Sequence, residues 1–249
     1  MAAPEVFDPA EDVQVGGEET ALPQPRLDRL PEELVSNIAL RLDYDDVASL
    51  RLACRTLEAR SFHDFATEYF TAKAFMVSTE SLKVLDAIAT NKRLCRYLHS
   101  ICIVTAFFAA SETKCRNGCH GSFRPTVRQA EAYRIYTDDQ EKLKETSQDK
   151  DILTDAFRKL PALTSLHLAD GPVYNEDLDS AEVHGLRKVI RRTGRSPLLS
   201  DTTTKENPKY AEFCTHVWKV MCQSVARSGM TSLMRFGTYT HGCKPYVHG

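Results

Sequence analysis

Long hydrophobic runs are missing from this 249-residue sequence. Its longest greasy stretch, residues 101–110, is about half of the ~20 apolar residues that a membrane-spanning helix needs. The N-terminus, MAAPEVFDPAEDVQVGGEET, is acidic and has no basic segment leading into an apolar one, so it does not read as a secretory signal. An excess of either charge is missing too: a formal net charge of −2 gives no global pull toward nucleic acid or acidic membranes. Neither G-x-G-x-x-G nor a P-loop occurs, which removes the common glycine-rich phosphate cradles. These absences together point to a soluble intracellular protein, cytoplasmic, nuclear or both, with neither membrane nor nucleic acid as partner.

What is present allows one large domain, or a small module followed by a larger one. A hydrophobic content of 42% is enough for a packed core. The eight cysteines are even in number but scattered through a chain large enough to fold without staples, so reduced thiols are the better reading.

Residues 1–26 carry six acidic residues against one Arg, with Pro and Gly interspersed, a composition that predicts a disordered arm. Periodicity starts at Leu27. Pro31 suits the first turn of a helix, where its missing N–H is no loss. Leu34, Ile38 and Leu42 then recur every four residues, with Val35 and Ala39 beside them, and form one stripe. The joint DYDD offers Asp43 or Asp45 as the cap of a second helix whose stripe is Val47, Leu50, Cys54 and Leu57. A third helical segment, SFHDFATEYF, places Phe62, Phe65, Ala66, Tyr69 and Phe70 on one face.

Beyond this the texture changes to helix and strand. Residues 78–92 read as a helix capped by Ser78 or Thr79, and residues 98–104 as a strand. Residues 127–159 are predicted largely helical, LPALTSLHL ends in a short strand, and helical stretches near 182–193 and 209–227 precede a closing strand in TSLMRF. Three strands therefore stand about 65 residues apart, each preceded by helix. The spacing of Leu160, Leu163, Leu166 and Leu168 fits a leucine-rich repeat, although the separation exceeds the ~20–29 residues of a regular one. An irregular helix–strand solenoid and an ordinary α/β domain both explain the pattern. The fold class is α+β, mostly helical: an N-terminal three-helix module over 27–72 and a helix–strand body over 73–249.

Leu30-Pro31, Glu33-Leu34, Ile38, Leu42, Asp46-Val47, Leu50-Arg51 and Cys54-Arg55 stand in an order that resembles an F-box. The family's aromatic shortly after the Cys pair is replaced here by Leu57. More softly, residues 74–108 and FRKLPALTSLHLAD look like the body of F-box proteins abundant in filamentous fungi. Those continue into a larger leucine-rich-like region, so the chain reads as a short or truncated member.

The resemblance implies a substrate receptor of an SCF-type cullin–RING ubiquitin ligase. The box would dock on the Skp-family adaptor and the body would capture a protein target. It implies no catalytic residue and no cofactor or metal. The docking set it implies is Leu30, Pro31, Leu34, Ile38, Leu42, Val47, Leu50, Arg51 and Cys54, with Arg51 and Arg55 at the polar rim. The physics of the segment agrees, because a helical unit of roughly 40 residues buries too little surface to stand alone. An amphipathic helix set into a partner's groove is a standard recognition mode. Against this stands the ordinary reading of such stripes as internal core.

Rival chemistry rests on thinner patterns. Cys115, Cys119 and His120 cluster, as do His241, Cys243 and His248, but C-x3-C-H is not a common zinc knuckle. Ser111 to Lys114 matches the Ser-x-x-Lys of serine acyl enzymes without a companion motif. Arg187, Lys188, Arg191, Arg192 and Arg195 read as a solvated face, with nuclear import or phosphate contact as the alternative. Trp218 reads as core on an apolar helix face.

Overall fold

The computed structural model describes residues 26–109, 125–169, 183–197 and 208–239. The two Cys/His clusters, the Ser-x-x-Lys and the acidic arm before residue 26 lie outside them. The chain divides into two compact units, Met1–Ser61 and Phe62–Gly249.

In the first unit a single 3-10 turn, Leu27–Arg29, leads into α1 (Glu32–Ala39), α2 (Tyr44–Ala53) and α3 (Arg55–Arg60). Pro31 stands immediately before α1, where no N–H is needed, and Glu32 and Glu33 face the positive end of the helix dipole. Asp43 is the cap of α2: its carboxylate accepts the Asp46 N–H at 2.9 Å. The single second helix expected from the stripe is broken. Cys54 is fully extended (φ −161°, ψ 161°), which ends α2 and turns α3 onto a new axis. Val47 and Leu57 are still both buried, because each helix turns its own apolar edge inward.

The second unit begins with α4 (Phe62–Phe70), the helix that the sequence boundary at 72 assigned to the first module. Its aromatics pack locally: Phe62 meets Tyr97 edge-on at 5.8 Å, and Phe70 joins the core of this unit. There follow β1 (Ala72–Met76), α5 (Thr79–Thr90), β2 (Ser100–Val104), α6 (Val127–Thr146), α7 (Gln148–Arg158), β3 (Ser165–Ala169), α8 (Leu186–Thr193), α9 (Pro208–Ser228) and β4 (Arg235–Tyr239). The described residues thus hold four strands rather than three, and β1 is the additional one. The long helical stretch 127–159 is two helices, parted at Ser147 with φ 55°.

All four strands are parallel and lie in chain order, β1-β2-β3-β4, as in a helix–strand solenoid. Register pairs Ala72, Ser100, Ser165 and Arg235 across the sheet, at unequal spacings of 28, 65 and 70 residues. Alternation along each strand gives two faces. One carries Phe75, Ile101, Ile103, Leu166 and Leu168 against α5, α7 and α9, including Leu85, Leu153, Phe157 and Met221. The other carries Ala74, Met76, Cys102, Val104 and Ala169, covered by Phe108, by Tyr133 and Tyr136 of α6, and by Val189 of α8.

Gln140 ties the ends of β1 and β2 together. Its buried amide donates to the carbonyls of Val77 (3.1 Å) and Ala106 (2.6 Å), and its oxygen accepts the Phe108 N–H at 3.1 Å. Asp149, 1% exposed, meets His216 at 2.7 Å and fastens α7 to α9. Trp218 is half-buried and stacks on Phe236 at 4.8 Å, so it closes the edge of the core under β4.

Candidate functional site

The first unit buries few apolar side chains: Val35 and Ala39 from α1, Val47 from α2 and Leu57 from α3. Polar bonds hold the rest of it. Arg51 donates from Nη2 to the Glu58 carboxylate at 2.8 Å and from Nη1 to the Glu58 carbonyl oxygen at 3.1 Å, joining α2 to α3 across the extended Cys54. Arg60 donates from Nη1 to the Asp28 carbonyl at 3.1 Å and to the Leu30 carbonyl, holding the first turn against α3. Ser61, fully buried, donates back to the Leu57 carbonyl at 2.6 Å.

With the inward edge supplied by Val35 and Ala39, the larger side chains of the stripe turn outward. Leu34 is 47% exposed, Leu40 59% and Leu52 87%, and Leu27 and Tyr44 are also exposed. Leu30, Ile38, Leu42, Leu50 and Cys54 are half-buried, and Pro31 is exposed. Five of the ten large hydrophobics exposed among the described residues fall in this small unit, which sets it apart from ordinary scattered surface apolar residues. It is an apolar surface on a thin core.

The expected docking set is therefore split by the structure. Leu30, Pro31, Leu34, Ile38, Leu42, Leu50 and Cys54 keep accessible surface, whereas Val47 is buried beneath them. Arg51, with a side chain only 11% exposed, is committed to Glu58 and is an internal clamp rather than a rim residue. Arg55 is exposed. Sequence reasoning missed the exposed Leu40, Tyr44 and Leu52 because they lie off the stripe. It missed Arg60 because nothing in a one-dimensional pattern shows a reach of some thirty residues back to the Asp28 and Leu30 carbonyls.

The second unit holds other candidate chemistry. Burial pushes the Cys102 thiol up to about 12, so it is an inert core thiol. Lys188 of the basic run pairs with Glu80, and the Arg195 guanidinium lies over the Tyr133 ring at 3.6 Å, so both have partners instead of being merely solvated. A cleft of about 820 Å³ opens along α6, lined by Val127, Tyr133, Arg134, Asp138, Glu141 and Arg195 among others. Among the described residues no group of His, Cys, Asp and Glu could hold a metal ion, and no helix is long and apolar enough to cross a membrane.

Comparison with known proteins singles out the same N-terminal segment. Residues 27–60 match the family model of the F-box domain, a span that takes in the 3-10 turn and all of α1 to α3. No curated protein and no solved structure matches the chain. A protein-interaction module thus occupies the segment where apolar side chains are most exposed, and the chain carries an F-box domain over residues 27–60.

Proposed function

We propose that this chain is the substrate-recognition subunit of an SCF-type cullin–RING ubiquitin ligase. The first unit docks on the Skp-family adaptor, and the helix–strand body holds a protein target. The observation that carries this reading is the coincidence of the F-box match with a surface where Leu34, Leu40 and Leu52 stand exposed over a core of only Val35, Ala39, Val47 and Leu57. Such a surface gains most from a second polypeptide, at ~25 cal/mol for each Å² of apolar area removed from water.

Leu30, Pro31, Leu34, Ile38, Leu42, Leu50 and Cys54 are the contact set, with Leu40 and Leu52 extending it. Val47 supports the set from below, and Arg51 fixes the angle between α2 and α3 on which it depends. The chain supplies no bond-making residue. It raises the rate by proximity, holding the target near a charged conjugating enzyme elsewhere in the complex.

The test is affinity purification of the full chain followed by mass spectrometry. Recovery of adaptor and cullin together with a protein whose ubiquitination falls when this chain is depleted is the expected result. Recovery of the adaptor without the cullin would instead make the chain a scaffold outside degradation.

A further inference from the structure

The two outer edges of the sheet differ. In a parallel sheet, alternate residues of a strand turn their N–H and C=O toward one neighbour, and the residues between them turn theirs to the other side. On β1 the outward groups are occupied. The Ala74 carbonyl accepts the His184 N–H at 2.8 Å, and the Met76 N–H donates to the Ser81 hydroxyl at 3.2 Å. Phe75 and His184 form a parallel bridge there, so the chain itself closes this edge.

The edge at β4 has no such cover among the described residues. The Arg235 N–H donates to the Thr164 carbonyl at 3.0 Å, and Arg235 stands in register with Ser165. Arg235 and Gly237 therefore bond to β3, while the N–H and C=O groups of Phe236 and Thr238 point away from the sheet. None of these outward groups has a partner among the described residues. Met234, Arg235, Phe236 and Thr238 are exposed, whereas β1, β2 and β3 each end in buried residues. A bare edge of this kind is a template for a further strand.

Side chains beside the edge restrict what can pair with it. Phe236 lies on the helix side of the sheet, stacked on the half-buried Trp218. Arg235, its neighbour, points to the opposite face and is the only charged residue of β4. No carboxylate pairs with it among the described residues. An added strand thus meets an apolar surface on one face and a guanidinium on the other. A second copy of β4 brings no carboxylate to that guanidinium, because residues 234–239, MRFGTY, contain none.

We propose that β4 takes up an extended segment of a partner protein as a fifth strand, one that alternates apolar with acidic residues. The main-chain groups of Phe236 and Thr238 supply the pairing. Phe236 and Trp218 receive the apolar side chains, and Arg235 selects the acidic ones. As a place for a protein target this surface rests on the function proposed above. The pairing itself needs no adaptor, so its failure leaves the docking of the first unit standing.

The experiment is fluorescence anisotropy of the full chain with a short labelled peptide alternating Val and Asp, beside a peptide alternating Val and Lys. Saturable binding of the Val/Asp peptide is expected, about ten-fold or more tighter than the Val/Lys peptide. Arg235→Glu should reverse that order. Thr238→Pro removes an outward N–H without touching the bonds to β3, and should weaken binding about ten-fold. Both positions are exposed, so circular dichroism of the two variants should match wild type. Absence of saturation, equal affinity for the two peptides, or an unreversed order in folded Arg235→Glu overturns the proposal. So does a wild-type chain that sediments as a dimer and becomes a monomer in Thr238→Pro, since a second copy then holds the edge.

Discussion

The Arg51 guanidinium grips Glu58 twice, at the carboxylate (2.8 Å) and at the main-chain carbonyl (3.1 Å), and so bridges the one residue, Cys54, at which the helix is interrupted. Arg51 is 11% exposed and Glu58 34%, so the pair is better shielded than an ordinary surface ion pair. Arg51→Ala should destabilise the unit by about 1–2 kcal/mol, since two bonded oxygens lose their donor. Arg51→Lys should recover little of it, because an ammonium cannot span both oxygens. Urea unfolding followed by circular dichroism checks the order, wild type above Lys above Ala.

The cap of α2 gives a second, local test. Asp43 accepts the Asp46 N–H, and its carboxylate sits at the positive end of the helix. Asp43→Ala should cost about 1 kcal/mol, and Asp43→Asn only part of that, read by the same unfolding curves.

Acid should weaken the second unit. Burial lowers the pKa of His167, with Arg235 adding to it. Burial likewise lowers His184, with Lys73 and Lys188 adding and Glu80 opposing. Above the ordinary value of 6.5 both imidazoles are neutral, folded or unfolded, and the shifts have no effect on stability. As pH falls below it the unfolded chain takes up protons that the folded chain resists, so stability declines until the depressed folded values are reached. Denaturation midpoints should be flat from about pH 8 to 7 and fall by pH 5.5. His184→Asn should flatten part of that slope.

Thiol reactivity separates core from contact surface. Cys102, buried and held up to about 12, should resist alkylation until the body unfolds. Cys54 is half-buried in the F-box unit and should label in the free chain. Addition of purified Skp-family adaptor should slow labelling at Cys54 and leave Cys102 unchanged, as peptide mass spectrometry would show.

Much of this architecture was legible in the sequence, for physical reasons that also mark where reading failed. The α1 stripe and the caps Asp43 and Ser78 are local features, set by spacing and by a side-chain oxygen near a free N–H. Strand β1 was not legible: AKAFM is short, is interrupted by Lys73 and is buried on both faces only over its last three residues, so its period cannot tell strand from helix. Nor was the break at Cys54, because an extended residue between two helices leaves the apolar spacing almost intact.

Within the candidate site the stripe was visible but not its orientation. Leu34 and Val35 are adjacent and equally apolar, yet one is exposed and the other fully buried. Only the packing of α1 against α3 decides which of them faces a partner.

That orientation is the central claim, and the affinity of the full chain for a purified Skp-family adaptor tests it most directly. The double variant Leu34→Asp/Ile38→Asp alters the accessible edge of α1 and leaves Val35 and Ala39 in place. Calorimetry should show tight binding by the wild-type chain and none by the variant, with the far-ultraviolet circular dichroism of the two alike. Equal affinity in a folded variant would contradict the account.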